Sequence, residues 1–213
     1  SDPLVRLFGA LSLELAATAL DDAWLAAVPP DQLAAFAEVL ARIDPPTLPT
    51  LAPAAACAGV VLHLAGSGDV DPNMLGMHSP LAAWRNGFSL RRAGMDRALE
   101  VAATVQQFDE ATPVDEPWPE RRLRLAALIA REAAAGGYAY MSWFAGLDEH
   151  EAAARRGVAN LRLLRVAVAA RLGQPLPVVA DPLGRGPVRL ESVDGVDFAV
   201  CGDDPAVRRR VRR

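Results

Sequence analysis

The chain has 213 residues, 52% of them hydrophobic, with a formal net charge of -4 and a sequence pI near 5.4. That length supports one sizeable core, and the acidic balance excludes the overall electrostatic footprint of a nucleic-acid binder. The longest apolar stretches, 51–62 and 133–147, are short and rich in Ala and Gly, and Pro53 interrupts the first, so neither is read as a bilayer span.

Ala and Leu dominate, and β-branched residues are scarce before the last thirty or so positions, which favours helices through the body of the chain. Every basic residue is an arginine. Cys57 and Cys201 are too few to define a disulfide framework and read as free, buried thiols, with pairing in an oxidising compartment as the alternative. The sequence opens at Ser1-Asp2-Pro3 without Met, which leaves room for a signal peptide or membrane anchor ahead of it.

Asp2 followed by Pro3 is a helix start, and Leu4, Phe8, Leu11 and Leu15 keep one apolar face, so a first helix is expected to run to about Val28. Pro29-Pro30 ends it, and Asp31 caps a second helix over 32–43. Beyond Asp44-Pro45-Pro46 and a proline-rich connector, 54–65 reads as a short helix, and 69–79 as a loop. Ser79-Pro80 opens a helix from Leu81, interrupted near Asn86-Gly87 and resumed to about Phe108. An acidic connector over 110–119 precedes two long helices, 120 to about 146 with a kink at Gly136-Gly137, and 148–172. In the last helix Leu161, Leu164, Val168 and Leu172 form the apolar stripe, while Arg155, Arg156, Arg162 and Arg165 are assigned mostly to its solvated side.

No motif assigns a catalytic residue, a metal ligand or a cofactor. His63, His78 and His150 stand at no metal-binding spacing, and the acidic run around His150 suits a helix N-terminus. Met74, Met77 and His78 are a soft-ligand set of the kind copper(I) takes, but read as packing over a core edge. Ser67, between two glycines, lacks the strand and helix of a nucleophile elbow. Two clusters remain as binding candidates. Trp84, Arg85, Arg91, Arg92 and Arg97 gather aromatic and cationic groups around the interrupted helix, suited to an anionic ligand or acidic partner, or else to a solvated arginine face packed by one tryptophan. Tyr138 and Tyr140, near Trp143 and Phe144, suggest a groove lining or contact surface, against core packing, which large aromatics more often serve.

The period changes to two at the C-terminus, where 188–192 and 196–200 alternate as a β-hairpin. A two-residue Asp194-Gly195 turn would set Val196, Phe198 and Val200 opposite Val193, Glu191 and Arg189, mixing apolar and charged side chains on one face. A three-residue loop over 193–195 instead puts Leu190 opposite Phe198 and Val188 opposite Val200, and burial favours that register. The run Arg208-Arg209-Arg210-Val211-Arg212-Arg213 reads as a solvated basic tail.

Asp181-Pro182-Leu183-Gly184, the alternating strands, Asp194-Gly195, Phe198-Ala199-Val200 and Gly202-Asp203-Asp204 resemble the tail of a group of membrane-anchored bacterial envelope proteins. A similar tail occurs in the major pseudopilins of type II secretion. The resemblance covers about twenty-five residues and implies the hairpin and an envelope location; the pseudopilin likeness would also imply calcium near Asp203 and Asp204. Pro205 and arginines replace the glycine-rich stretch expected after them, and the single long N-terminal helix is missing.

The expected fold is therefore mainly α, a bundle of about six helices forming a single domain over 1–213, with a hairpin appendage at 181–204 and a basic tail at 205–213. The expected function is a non-enzymatic binding or scaffold module with a protein partner, on the periplasmic side of the cell envelope. A cytoplasmic location, a small-molecule receptor or enzyme with a pocket between helices, and a secretion-system accessory are the alternatives.

Overall fold

The computed structural model describes residues 20–43, 103–113, 115–136, 147–204 and 207–211. Among them the protein is mainly α, with five helices rather than about six and a small antiparallel sheet at the C-terminus. The helices are α1 (Asp22–Ala27), α2 (Pro30–Arg42), α3 (residues 103–111), α4 (Trp118–Gly136) and α5 (Leu147–Arg171). The strands are β1 (Arg189–Val193), β2 (Val196–Val200) and β3 (Arg208–Val211), in the order β1-β2-β3.

A continuous helix to Val28 does not form. Asp21 has extended backbone and its side chain accepts from Trp24 N–H at 2.8 Å, so it caps a fresh helix at Asp22. Pro30 then sits in the first turn of α2, where its missing N–H is not needed. The proposed helix over 54–65, the loop over 69–79 and the start of the helix from Leu81 lie outside the described residues.

The chain divides into two compact units: Ser1–Pro49, Asp115–Glu120 and Glu151–Arg213 form the first, Thr50–Val114 and Arg121–His150 the second. In the second unit Val105, Leu125, Leu128 and Leu147 make a small core. Beside it the buried Arg121 guanidinium pairs with Asp109 at 2.6 Å, donates to the Thr112 carbonyl and lies 5.0 Å from the Phe108 ring centre.

In the first unit α5 is the central element: no residue from 151 to 170 is exposed. One face carries the expected stripe, Leu161, Leu164 and Val168, which packs with Leu25, Leu33 and Leu40. The other, Ala159, Leu163, Val166 and Ala170, packs against Ala199, Cys201, Val207 and Val211.

The hairpin takes the register that burial argued against. Val193 pairs with Val196, Glu191 with Phe198 and Arg189 with Val200. Asp194 and Gly195 have φ of 53° and 76°, which is the two-residue turn whose twist suits a hairpin. The argument from burial fails because all five residues of β1 are exposed, and an exposed strand has no buried face to select its partner. The mixed face is accommodated by arginine: Arg208 stacks 4.8 Å from the Phe198 ring centre, and Arg189 donates to the Gly202 carbonyl at 2.6 Å. The basic run is likewise no tail over 208–211. It pairs with β2 as the third strand, with Arg209 and Val211 buried.

Candidate functional site

Two features of the first unit bring charged and polar groups together, a carboxylate clasp and a groove beside it. The clasp is built on Asp181, whose side chain is buried. One carboxylate oxygen accepts from Leu183 N–H at 2.8 Å, and the other from Gly202 N–H at 2.7 Å. The first bond closes the turn that Pro182 begins; the second ties that turn to the chain leaving β2. Two glycines make room for it. A Cβ on Gly184 would stand 2.4 Å from a carboxylate oxygen of Asp181, and Gly202 has φ of 62° with its missing Cβ only 2.9 Å from that of Leu183. The 181–186 loop closes on itself through Asp181 N–H to the Gly186 carbonyl at 2.8 Å.

Cys201 lies under this clasp as a buried free thiol. Burial pushes its pKa well above the usual thiol range, reinforced by the charge of Asp181 and a hydrogen bond to it. Such a thiol remains protonated and is a poor nucleophile.

The groove, of about 460 Å³, is lined by Asp115, Glu116 and Pro117, by residues of the 178–187 segment, and by Arg155 and Arg162 of α5. Both guanidiniums are engaged in holding the fold. Arg155 is buried, paired with Glu151 at 2.9 Å, donates to the Pro182 carbonyl at 2.9 Å and lies 4.9 Å from the Trp118 ring centre. Arg162 donates to the Ala180 carbonyl at 2.7 Å, and burial lowers its pKa from the ordinary value.

The solvated side expected for the α5 arginines does not hold: Arg155 is buried, and Arg156, Arg162 and Arg165 are half-buried. Their donors cross to other segments. Arg165 caps the carbonyl end of α2 through Leu40 O at 2.6 Å and Ile43 O, and Arg171 donates to Ala26 O at the end of α1 at 2.9 Å. Arg209 of β3 donates to Leu20 O at 2.6 Å. Several donors fixed on one rigid plane let a guanidinium bond carbonyls that point in different directions, which an ammonium on a flexible stem does less well.

The sequence candidates Trp84, Arg85, Arg91, Arg92, Tyr138 and Tyr140 all lie outside the described residues, as do Cys57, His63, Ser67, Met74, Met77 and His78. Of the carboxylates that a pseudopilin-like calcium site would use, Asp203 is exposed and 3.3 Å from Arg189, and the Asp204 carbonyl accepts from Val207 N–H at 3.0 Å. Among the described residues no group of three or more His, Cys, Asp or Glu is arranged to hold a metal ion. No described helix is long and apolar enough to cross a membrane. Comparison with family models, with curated proteins and with solved structures gives no match.

Proposed function

We propose that this chain is a non-enzymatic binding or scaffold module on the periplasmic side of the bacterial cell envelope, engaging a protein partner through the open edge of its C-terminal sheet. The observation that carries the reading is β1. All five of its residues are exposed, Leu190 and Val193 by 50% and 42%. With Val193 paired to Val196 across a two-residue turn, alternation directs the main-chain groups of Leu190 and Ser192 away from β2. The same outward direction is already used at Val188, whose N–H bonds the Val179 carbonyl at 2.8 Å. The open edge therefore begins at Leu190, and an extended partner segment can add there.

The charged groups of the neighbouring groove support a structural reading, since Arg155, Arg162 and Asp181 are each bonded to main chain that the sheet needs. The envelope location rests on the resemblance of the tail.

The test is photocross-linking from Val193 in the producing cell, followed by fractionation. A discrete adduct with a periplasmic or membrane protein is expected. Leu190→Pro removes only an outward N–H and obstructs an added strand, so it abolishes the adduct. An adduct unchanged by the proline, or a chain that fractionates with the cytosol, overturns the reading.

A further inference from the structure

A second groove, of about 350 Å³, lies between α2 and the segment that follows α5. Its walls are mostly apolar: Ala37 and Ala41 from α2, Val168 and Ala169 from α5, and Pro175 and Pro177 beyond. The volume falls within the ~300–1,000 Å³ of small-molecule sites and is about twice the ~150 Å³ of an engineered cavity that takes benzene.

Arg165 lines the same groove. Its Nη2 donates to Leu40 O and Ile43 O, both neutral carbonyls, and its Nε is buried without a hydrogen-bond partner. Among the described residues it has no ion pair with a carboxylate. The carbonyl end of α2 is the negative end of the helix dipole and offsets only part of that charge. Arg162, one turn earlier on α5, lines the other groove, and its charge still acts on Arg165. Asp181, the carboxylate that acts on Arg162, is held by two main-chain N–H groups. An apolar trough with net positive charge at its polar edge is complementary to an anionic head on an apolar chain.

We infer that this groove binds a medium-chain anionic amphiphile, with the chain along Ala37, Ala41, Val168 and Pro177 and the head at Arg165. A free carboxylate and a lipid phosphate share that chemistry, and a cationic guanidinium attracts both. The inference is independent of strand addition at β1, which uses a different surface.

Isothermal titration of the full chain with sodium decanoate, decyl phosphate, 1-decanol and decyltrimethylammonium, all below micelle formation, tests it. One equivalent of decanoate or decyl phosphate is expected to bind, with the neutral and cationic chains at least about tenfold weaker. Binding of decanoate alone assigns a carboxylate head, and tighter binding of decyl phosphate a phosphate; either supports the anionic class. Arg165→Gln should weaken decanoate by about tenfold or more. Because Arg165 also caps α2, Ala41→Phe is the second variant: Ala41 is exposed on the groove wall, so the ring fills the trough without burying strain in the core. It should abolish binding with an unchanged thermal midpoint. Equal binding of decanol and decanoate, unaltered binding by Ala41→Phe, or no saturable heat with either anion overturns the inference.

Discussion

Asp181→Ala removes the acceptor of two main-chain donors at once, Leu183 N–H at 2.8 Å and Gly202 N–H at 2.7 Å. A hydrogen bond to a charged partner contributes about 1.5–3 kcal/mol. Gly202 is buried and incurs the full loss, whereas Leu183 is half-buried and regains part of it from water, so the sheet should lose about 3–4 kcal/mol of local stability. The loss is local to the sheet, so a readout that resolves single amides is sharper than one midpoint for the whole chain. Hydrogen exchange of the intact chain reads the clasp directly. At 1.36 kcal/mol per decade, about 3 kcal/mol appears as roughly a 150-fold faster exchange of the amides around Gly202. Peptides from α2 should keep their protection. Asp203→Ala is the control, since that side chain is 98% exposed and its pair with Arg189 is 3.3 Å long; it should change exchange by less than about threefold. If Asp181→Ala shifts the Gly202 amide no more than Asp203→Ala does, the clasp does not hold the sheet.

Three further substitutions test the same unit. Arg155→Met removes the guanidinium paired at 2.9 Å with the buried Glu151 carboxylate and should cost about 3–5 kcal/mol, whereas Glu151→Leu with Arg155→Met should recover most of it; denaturant titration of the single and double variants decides. Gly195→Ala meets no atom within 4 Å and carries only the left-handed penalty of about 1–2 kcal/mol, while Gly202→Ala adds the Leu183 contact and should lose at least about 1 kcal/mol more by the same titration. For Cys201 the native pKa is raised, so the folded chain keeps its proton where the unfolded chain, with an ordinary thiol pKa of about 8.5, releases it. The contribution is complete below about pH 8.5 and declines above it by up to about 1.4 kcal/mol per pH unit. Urea midpoints between about pH 7.5 and 10 should fall less steeply in Cys201→Ala, and parallel slopes would refute the assignment.

The helical body was legible where a single apolar face carries an element. The stripe Leu161, Leu164 and Val168 was read from spacing and packs as expected, and the ends of α2 and α5 fall within a few residues of their capping and proline signals. The opposite face of α5 was not legible. It is built from Ala159, Leu163, Val166 and Ala170, with arginines between them, and an alanine and arginine pattern has the same periodicity in solvent as in a core. Nothing local states that the guanidinium of Arg155 finds Glu151 one turn away and the Pro182 carbonyl twenty-seven residues on. Burial of long stems with their heads bonded is a tertiary outcome. The third strand was hidden for the same reason: Arg208-Arg209-Arg210 reads as solvated until Phe198 and the Leu20 carbonyl are in place to receive two of the three.

The clasp also bears on what a resemblance confined to the tail can mean. Its positions are Asp181, Pro182, Gly184, the Asp194-Gly195 turn and Gly202. Each has a structural task here that constrains residue type: an acceptor for two N–H groups, a turn start, a site with no room for Cβ, two positive φ angles, and a third positive φ against Leu183. None of these tasks requires an ion or a substrate. Any chain that fastens a terminal hairpin to the segment before it with one buried carboxylate would meet the same constraints, whatever its helical body does. Asp203 stands apart, since it is exposed beside Arg189, 3.3 Å away. A likeness in the first set therefore reports how the sheet is held, and only a likeness extending past Asp204 would report a ligand. The distinction is measurable: the calcium reading requires Asp203→Ala with Asp204→Ala to abolish a calcium-induced rise in the thermal midpoint, whereas the clasp reading requires the wild-type midpoint to be the same in calcium and in chelator.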